Sequence, residues 1–237
     1  MQQTGRGFDM INKTTKNRKE LNLPPVRLYR ELEWGEQIVC FGDSAEVQDF
    51  CALVALSKKH LDFPMIYNQI TESSQFGYDA YNFCKYIQIH TGMWPVLAIE
   101  RNVGAATIIV LNQLNYPRMF RMPDFTAGNN ASQGGIGWLT TGSMKGGEIQ
   151  GTRRKMLDDF ALTLRQGQVK IYDEQQILQL KSFVVVKGRA QARANTHDDL
   201  VISTCGAWQV HLTTPSEFLD EFNVEDFRKE QSKWRFK

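Results

Sequence analysis

Apolar positions in the first half of the chain fall in short, nearly unbroken runs separated by a few polar residues. Gln37-Ile38-Val39-Cys40-Phe41-Gly42-Asp43, Phe50-Cys51-Ala52-Leu53-Val54-Ala55-Leu56 and Phe63-Pro64-Met65-Ile66-Tyr67-Asn68 are too short for helices. Runs of this length, apolar on both faces, predict buried strands, and the short joints between them predict an antiparallel meander. Val26 to Tyr29 predicts a short edge strand ahead of them. The period then changes. Between Gly77 and His90, residues Tyr78, Tyr81, Phe83, Cys84 and Ile87 fall at helical spacing, with Ser73 or Ser74 placed to cap the helix. Pro95-Val96-Leu97-Ala98-Ile99-Glu100 predicts another strand, and Ala105 to Leu114 an apolar helix soon after it, the opening of an α/β unit.

The second half is more mixed. Met119 to Met122 predicts a strand after Tyr116-Pro117, and residues 124–151, rich in Gly, Asn, Ser and Thr, predict an exposed loop or β-hairpin. Thr152 to Leu164 predicts a helix with Met156, Phe160 and Leu164 on one face. Val169 to Tyr172 and Phe183 to Val186 predict strands on either side of a helix, Glu174 to Leu180, which Asp173 is placed to cap. A last helix runs from Asp198-Asp199 to about Leu212. The expected organisation is a linker or tail over 1–25, one α/β domain over 26–213, and a charged, aromatic tail or helix over 214–237.

Composition excludes more than it identifies. The chain has 237 residues, 42% hydrophobic and 11% aromatic, which suits one large globular domain. A net charge of +2 does not mark a nucleic-acid binder. Its distribution is more informative: residues 1–30 hold seven Lys/Arg against two acids, and residues 140–193 hold ten against five. A basic patch is available there, although a solvated surface accounts for either excess. Cys40, Cys51, Cys84 and Cys205 lie far apart without a C-x-x-C pair, which reads as buried free thiols rather than zinc ligands or disulfides. With no signal-peptide core and no apolar segment of membrane length, the expectation is a cytoplasmic protein with no membrane partner.

The chemistry concentrates in carboxylates at the ends of apolar elements. Asp43 closes the first long strand, Glu100 closes the strand before the apolar helix, and Asp198 and Asp199 open the last helix. Taken singly, Asp43 after Gly42 reads as a turn former, Glu100 as a partner of Arg101, and His197 as a loop hydrogen-bonder. One Asp is enough to cap a helix, whereas a second adjacent acid is repelled unless a cation stands nearby. Ligands of α/β sheets gather at strand ends, so acids distant in sequence can converge there. An all-carboxylate set with a single adjacent His favours Mg2+ or Mn2+ over zinc. Two such ions about 3.5–4 Å apart activate a water and stabilise the leaving oxygen of a phosphodiester.

The chain order is strand–Asp, meander, helix, strand–Glu, helix, then Asp-Asp at a helix start, and it resembles that of RNase H-like nucleases. Four pieces resemble the nuclease domain of the large terminase subunit of tailed phages, over about Val26 to Leu212. They are Ile38-Val39-Cys40-Phe41-Gly42-Asp43 with Asp49, Ala98-Ile99-Glu100-Arg101-Asn102-Val103-Gly104, Gly137-Trp138-Leu139-Thr140-Thr141 with Lys145, and His197-Asp198-Asp199-Leu200-Val201-Ile202. The resemblance implies an RNase H-like fold: a mixed central β-sheet flanked by helices, with an extra β-hairpin at 134–147. It implies a metal-dependent endonuclease that cuts double-stranded DNA by two-metal-ion hydrolysis during viral genome packaging, in the host cytoplasm. Asp43, Glu100, Asp198 and Asp199 would hold Mg2+ or Mn2+, and Asp49 would assist through water. Lys145, Arg153 and Arg154 are the implied DNA contacts, and a terminase ATPase domain, the small terminase subunit and a portal the implied partners.

Two departures accompany the resemblance. The family's glycine between the first acid and the second is replaced here by Ser44-Ala45-Glu46-Val47-Gln48. The chain also has no Gly-Lys dipeptide, hence no G-x-x-x-x-G-K-[ST] phosphate loop, so the expectation is an isolated nuclease domain without its own ATPase motor. Two other readings stay open. One is a junction-resolvase-like nuclease acting as a dimer on branched DNA; the other is a non-catalytic RNase H-like module that docks on the packaging machine.

Overall fold

The computed structural model describes residues 8–9, 24–45, 50–123, 133–141, 144–145, 148–149, 152–186, 189–192 and 197–216. The meander forms as expected. β3 (Ile38–Asp43), β4 (Phe50–Ser57) and β5 (Met65–Ile70) run antiparallel to one another in sequence. β2 (Val26–Leu28) pairs with β5, and β1 (Phe8–Asp9) lies parallel to β2, so a short piece of the segment read as a linker joins the sheet edge. β6 (Val96–Ile99) lies parallel to β3 on the opposite side, giving the order β1-β2-β5-β4-β3-β6.

Alternate residues of these strands feed two cores. α1 (Ser73–Thr91) and α2 (Ala105–Gln113) cover one face, where Phe76, Phe83 and Leu111 join Cys40, Leu53 and Leu97 in one cluster. α3 (Thr152–Arg165) and α5 (Asp199–Thr213) cover the other, where Met156, Phe160, Leu200 and Trp208 join Val39, Phe41, Val54 and Ala98. Because both faces are buried, the strands read in sequence as continuous apolar runs rather than as alternation. α5 is buried throughout residues 199–210, and for the same reason shows no polar stripe. It lies very close to the sheet: a Cβ on Gly206 would stand 2.3 Å from the Phe41 ring. All four cysteines are buried free thiols, and no described helix is long and apolar enough to cross a membrane.

The remaining elements are short. α4 (Glu174–Ser182) is capped by Asp173, whose carboxylate accepts the Gln176 N–H at 2.6 Å. β7 (Arg121–Pro123) pairs with β8 (Gln133–Ile136), β9 (Met144–Lys145) with β10 (Glu148–Ile149), and β11 (Phe183–Val186) with β12 (Arg189–Ala192), each antiparallel. Of the stretch 134–147 expected as one hairpin, the first part lies in β8, paired with β7, and the last in β9, paired with β10.

Four sequence expectations change. The cap position of α1 falls to Glu72, and the Ser73 hydroxyl instead donates to the Ala45 carbonyl at 2.7 Å. Val169 to Tyr172 makes no strand, only a bridge between Lys170 and Asp62. In α3 the buried stripe runs Met156, Phe160, Thr163, while Leu164 is exposed. Two steps of four rotate a residue about 80° from the start, whereas a step of seven returns to within about 20°. Gly137-Trp138 is not exposed loop. Trp138 is fully buried, its N–H donates to the Ile99 carbonyl at 2.8 Å, and its own carbonyl accepts the Arg101 N–H at 2.8 Å. This stretch lies along the end of β6 like a further strand.

Candidate active site

Two parallel strands end together. Gly42 of β3 pairs with Ile99 of β6, so the next residues, Asp43 and Glu100, emerge side by side, and the Glu100 N–H donates to the Gly42 carbonyl at 2.8 Å. The start of α5 reaches the same place. Asp198 holds its cap position, and Asp199, its first residue, is buried. The Asp43 carboxyl is pushed well above the usual carboxylate range, first by burial, then by the charge of Glu100 and a hydrogen bond with it, then by Asp199 and Asp198. The fold thus gathers all four acids. Carboxylates gathered in this way repel one another unless a cation stands among them. Two like charges 4 Å apart cost about 4 kcal/mol at an effective dielectric of 20. The positive end of a helix offsets about 0.3–1 kcal/mol, too little to balance such a cluster.

Two of the acids are held by their neighbours. Glu100 Oε1 accepts from the Thr140 hydroxyl through a short hydrogen bond and from Asn102 Nδ2 at 3.3 Å. The same Asn102 amide donates to the Thr140 carbonyl at 2.9 Å, closing a triangle. The spacing of Glu100, Asn102 and Gly104 has a steric reason: a Cβ at Gly104 would lie 2.2 Å from the Glu100 carbonyl oxygen. Asp198 accepts from an Arg153 guanidinium nitrogen at 2.8 Å, with both side chains one-third exposed. It makes no side-chain cap to α5. Instead Gln179 of α4 accepts the Leu200 N–H at 2.9 Å. Gln179 thus takes over a capping bond that the sequence assigns to one of the two aspartates.

The other candidates fare differently. Asp49 lies outside the described residues, and Lys145 is placed in β9 with its side chain outside them as well. Arg153 turns to Asp198, and Arg154 pairs with Asp158 one helical turn along α3. The His197 ring packs edge-on against Phe50 at 5.4 Å. Among the described residues, no group of three or more His, Cys, Asp and Glu side chains is disposed to hold a metal ion as it stands. Sequence reasoning missed the roles of Thr140, Asn102 and Gln179. The first two lie inside motifs it had singled out; Gln179 carries no local signal.

No protein-family model matches the chain, and no curated protein sequence does. Solved structures do match. The large terminase nuclease from thermophilic phage G20c aligns with a TM-score of 0.56 and 15% identity over 79% of this chain and 89% of its own. Its magnesium-bound form aligns with the same score and identity, and it has also been solved with bound cobalt and with bound zinc. The large terminase nuclease domain of Thermus phage P74-26 aligns with a TM-score of 0.53 and 15% identity over 83% of this chain and 91% of its own. The fold is that of the large-terminase nucleases. In this RNase H-like frame, a mixed sheet flanked by helices, the acids at the ends of β3 and β6 and at the start of α5 lie at one end of the strands.

Proposed function

We propose that this chain is a metal-dependent endonuclease that hydrolyses double-stranded DNA during phage genome packaging, working beside an ATPase motor. The observation that carries the reading is the convergence of Asp43 and Glu100, at the ends of two parallel strands, with Asp198 and Asp199 at the start of α5. A fold does not impose such a cluster for stability, since like charges at this range oppose folding. The likeness to terminase nucleases, one of them solved with magnesium bound, adds support.

The donor chemistry fits Mg2+ or Mn2+, because every acid offers only oxygen. Asp43 and Glu100, side by side at the ends of β3 and β6, would be the first residues to hold a divalent cation. Asp43, Glu100 and the buried Asp199 are the ligands we assign, with Asp198 second because Arg153 engages it. The acids must draw closer than they stand for this to happen. When bound, such ions supply an activated water and neutralise charge at the leaving oxygen. The chain's own residues set the geometry. Thr140 and Asn102 fix the Glu100 carboxylate, and the β3–β6 pairing fixes the backbones of Asp43 and Glu100. Arg153, and Lys145 on the hairpin, supply positive charge for phosphates, so DNA contact should be salt-sensitive and weakly dependent on sequence. Plasmid nicking in Mn2+ by the wild type, lost in Asp43→Asn and in Glu100→Gln, is the expected result. Full cleavage by both variants would overturn the assignment, and absence of metal-dependent product from the wild type would favour a docking module.

A further inference from the structure

A guanidinium shielded from water needs acceptors for its N–H groups, and most arginines of this chain have them. Arg27 and Arg30 meet carboxylates at the β2 edge, Arg153 and Arg154 meet Asp198 and Asp158, and Arg118 donates to the Trp94 carbonyl. Arg121 and Arg165 are exposed to water. Among the described residues Arg101 is the exception. It is half-buried, its Nε is enclosed without a hydrogen-bond partner, and its Nη2 meets only the Met122 sulfur, at 3.8 Å. That sulfur is a weak acceptor and already takes the Leu139 N–H at 3.3 Å. Glu100, the carboxylate beside Arg101 in sequence, is held instead by Thr140 and Asn102.

The fold nevertheless fixes where this cation stands. The Arg101 N–H donates to the Trp138 carbonyl at 2.8 Å, one residue beyond the bond from the Glu100 N–H to Gly42, so Arg101 is tied to the same strand end as the acids. From there its side chain runs along β8. A Cβ at Gly137 would stand 3.2 Å from the Arg101 Cγ, and one at Gly135 would stand 2.2 Å from Nη1. Gly135 is exposed, so the guanidinium ends at the surface, over backbone that carries no side chain. We propose that Arg101 is a DNA-binding residue of this site, its guanidinium taking a backbone phosphate of the duplex that flanks the bond to be cut. The inference rests on the nuclease reading of the four acids. The planar fork of a guanidinium matches two phosphate oxygens, and partial burial strengthens such charge-assisted bonds. A phosphate supplies the oxygen acceptors that the fold withholds. Arg101 holds substrate here and transfers no proton.

The test uses the full chain and a fluorescein-labelled DNA duplex of mixed sequence, with binding followed by fluorescence anisotropy in EDTA so that no metal contributes. Arg101→Met keeps an apolar stem along β8 and removes the charge. It should weaken duplex binding about five- to tenfold at low salt and shallow the salt dependence by about one phosphate contact. Arg101→Lys keeps the charge without the fork, so it should retain the salt dependence and recover part of the affinity. Because the fold gives Nε no acceptor, Arg101→Met should melt no lower than the wild type. In plasmid nicking at saturating Mn2+, the Met variant should raise KM and change kcat by less than about twofold. Wild-type affinity and salt dependence in Arg101→Met overturn the proposal. So does a lower melting temperature with unchanged affinity in the folded fraction, which makes Arg101 a packing residue. Absence of duplex binding by the wild type overturns the contact. Duplex binding without Mn2+-dependent cleavage overturns the nuclease reading instead, and leaves the contact to be judged by its salt dependence.

Discussion

The protein buries charge in two places and treats it in opposite ways. At the β2 edge every buried acid meets a cation or a donor. The Arg27 guanidinium donates to Asp173 at 2.6 Å with both side chains 1% exposed, and Asp173 also accepts from Tyr29 and from the Gln176 N–H. Next to it, Arg30 bridges Asp62 and Glu36. Burial would raise the Asp62 carboxyl, but hydrogen bonds from Arg30 and Tyr172 overcome it and hold the group below its usual range. At the end of β3 the neighbours are other acids, and Asp43 moves the other way. Opposite surroundings separate charge kept for the fold from charge kept for chemistry.

The sharpest break of this comparison is substitution of one acid from each region. Asp43→Asn should lower DNA cleavage at least ~10³-fold, equivalent to several kcal/mol of lost metal-based stabilisation. Yet its folding stability should fall by no more than about 0.5 kcal/mol, because Asn keeps the shape of a group whose anion burial and like-charged neighbours disfavour. A parallel fall in stability would mean that Asp43 is structural after all. Asp173→Ala should behave oppositely. It leaves Arg27 buried without its counter-ion, costing about 3–5 kcal/mol in urea unfolding, while cleavage per folded molecule is retained. A loss under 1 kcal/mol would show that the edge pair does not hold the fold.

His211 offers a smaller, pH-resolved test. Burial, and then the charge of Lys58, lowers it to about 4 in the folded protein. A folded value below the unfolded one means that the unfolded chain binds the extra proton. Stability is therefore full above pH 6.5 and declines as pH falls toward 4. Discounted for partial exposure, the loss between pH 7 and pH 5 should be about 1 kcal/mol, and His211→Gln should flatten it. An unchanged slope in the variant would place the acid sensitivity elsewhere. The smallest effect is expected at Arg154, whose pair with Asp158 is exposed on α3. Arg154→Ala should cost under about 0.5 kcal/mol. If Arg154 meets DNA, its loss should also shallow the salt dependence of binding by about one phosphate contact.

Much of this architecture is legible from local pattern. The meander, α1, α2, α4 with its Asp173 cap, α5, and the acids at the ends of β3 and β6 all follow from apolar runs and the residues that close them. The errors share a cause. Trp138 sits among glycines and reads as loop, yet it is buried because its backbone pairs with Ile99 and Arg101, nearly forty residues away. Leu164 and Thr163 exchange places because the stripe follows the rotation of the helix rather than apolarity alone. Thr140 has no periodic signal, and its importance comes wholly from meeting Glu100.

The sequence by itself determined that strands and helices alternate around a two-sided core, and that three separated apolar elements each carry acid at one end. These are properties of runs and periods, which neighbours along the chain set. Only the tertiary structure decided how the Asp198–Asp199 pair divides. The sequence offers one of them as the cap of α5, but Gln179 reaches across from α4 to take the Leu200 N–H, Arg153 draws Asp198 aside, and Asp199 is left buried near Asp43. Each of those choices depends on contacts between elements far apart in sequence, where burial makes repulsion and hydrogen bonding strong enough to assign roles that two adjacent, identical side chains cannot assign themselves.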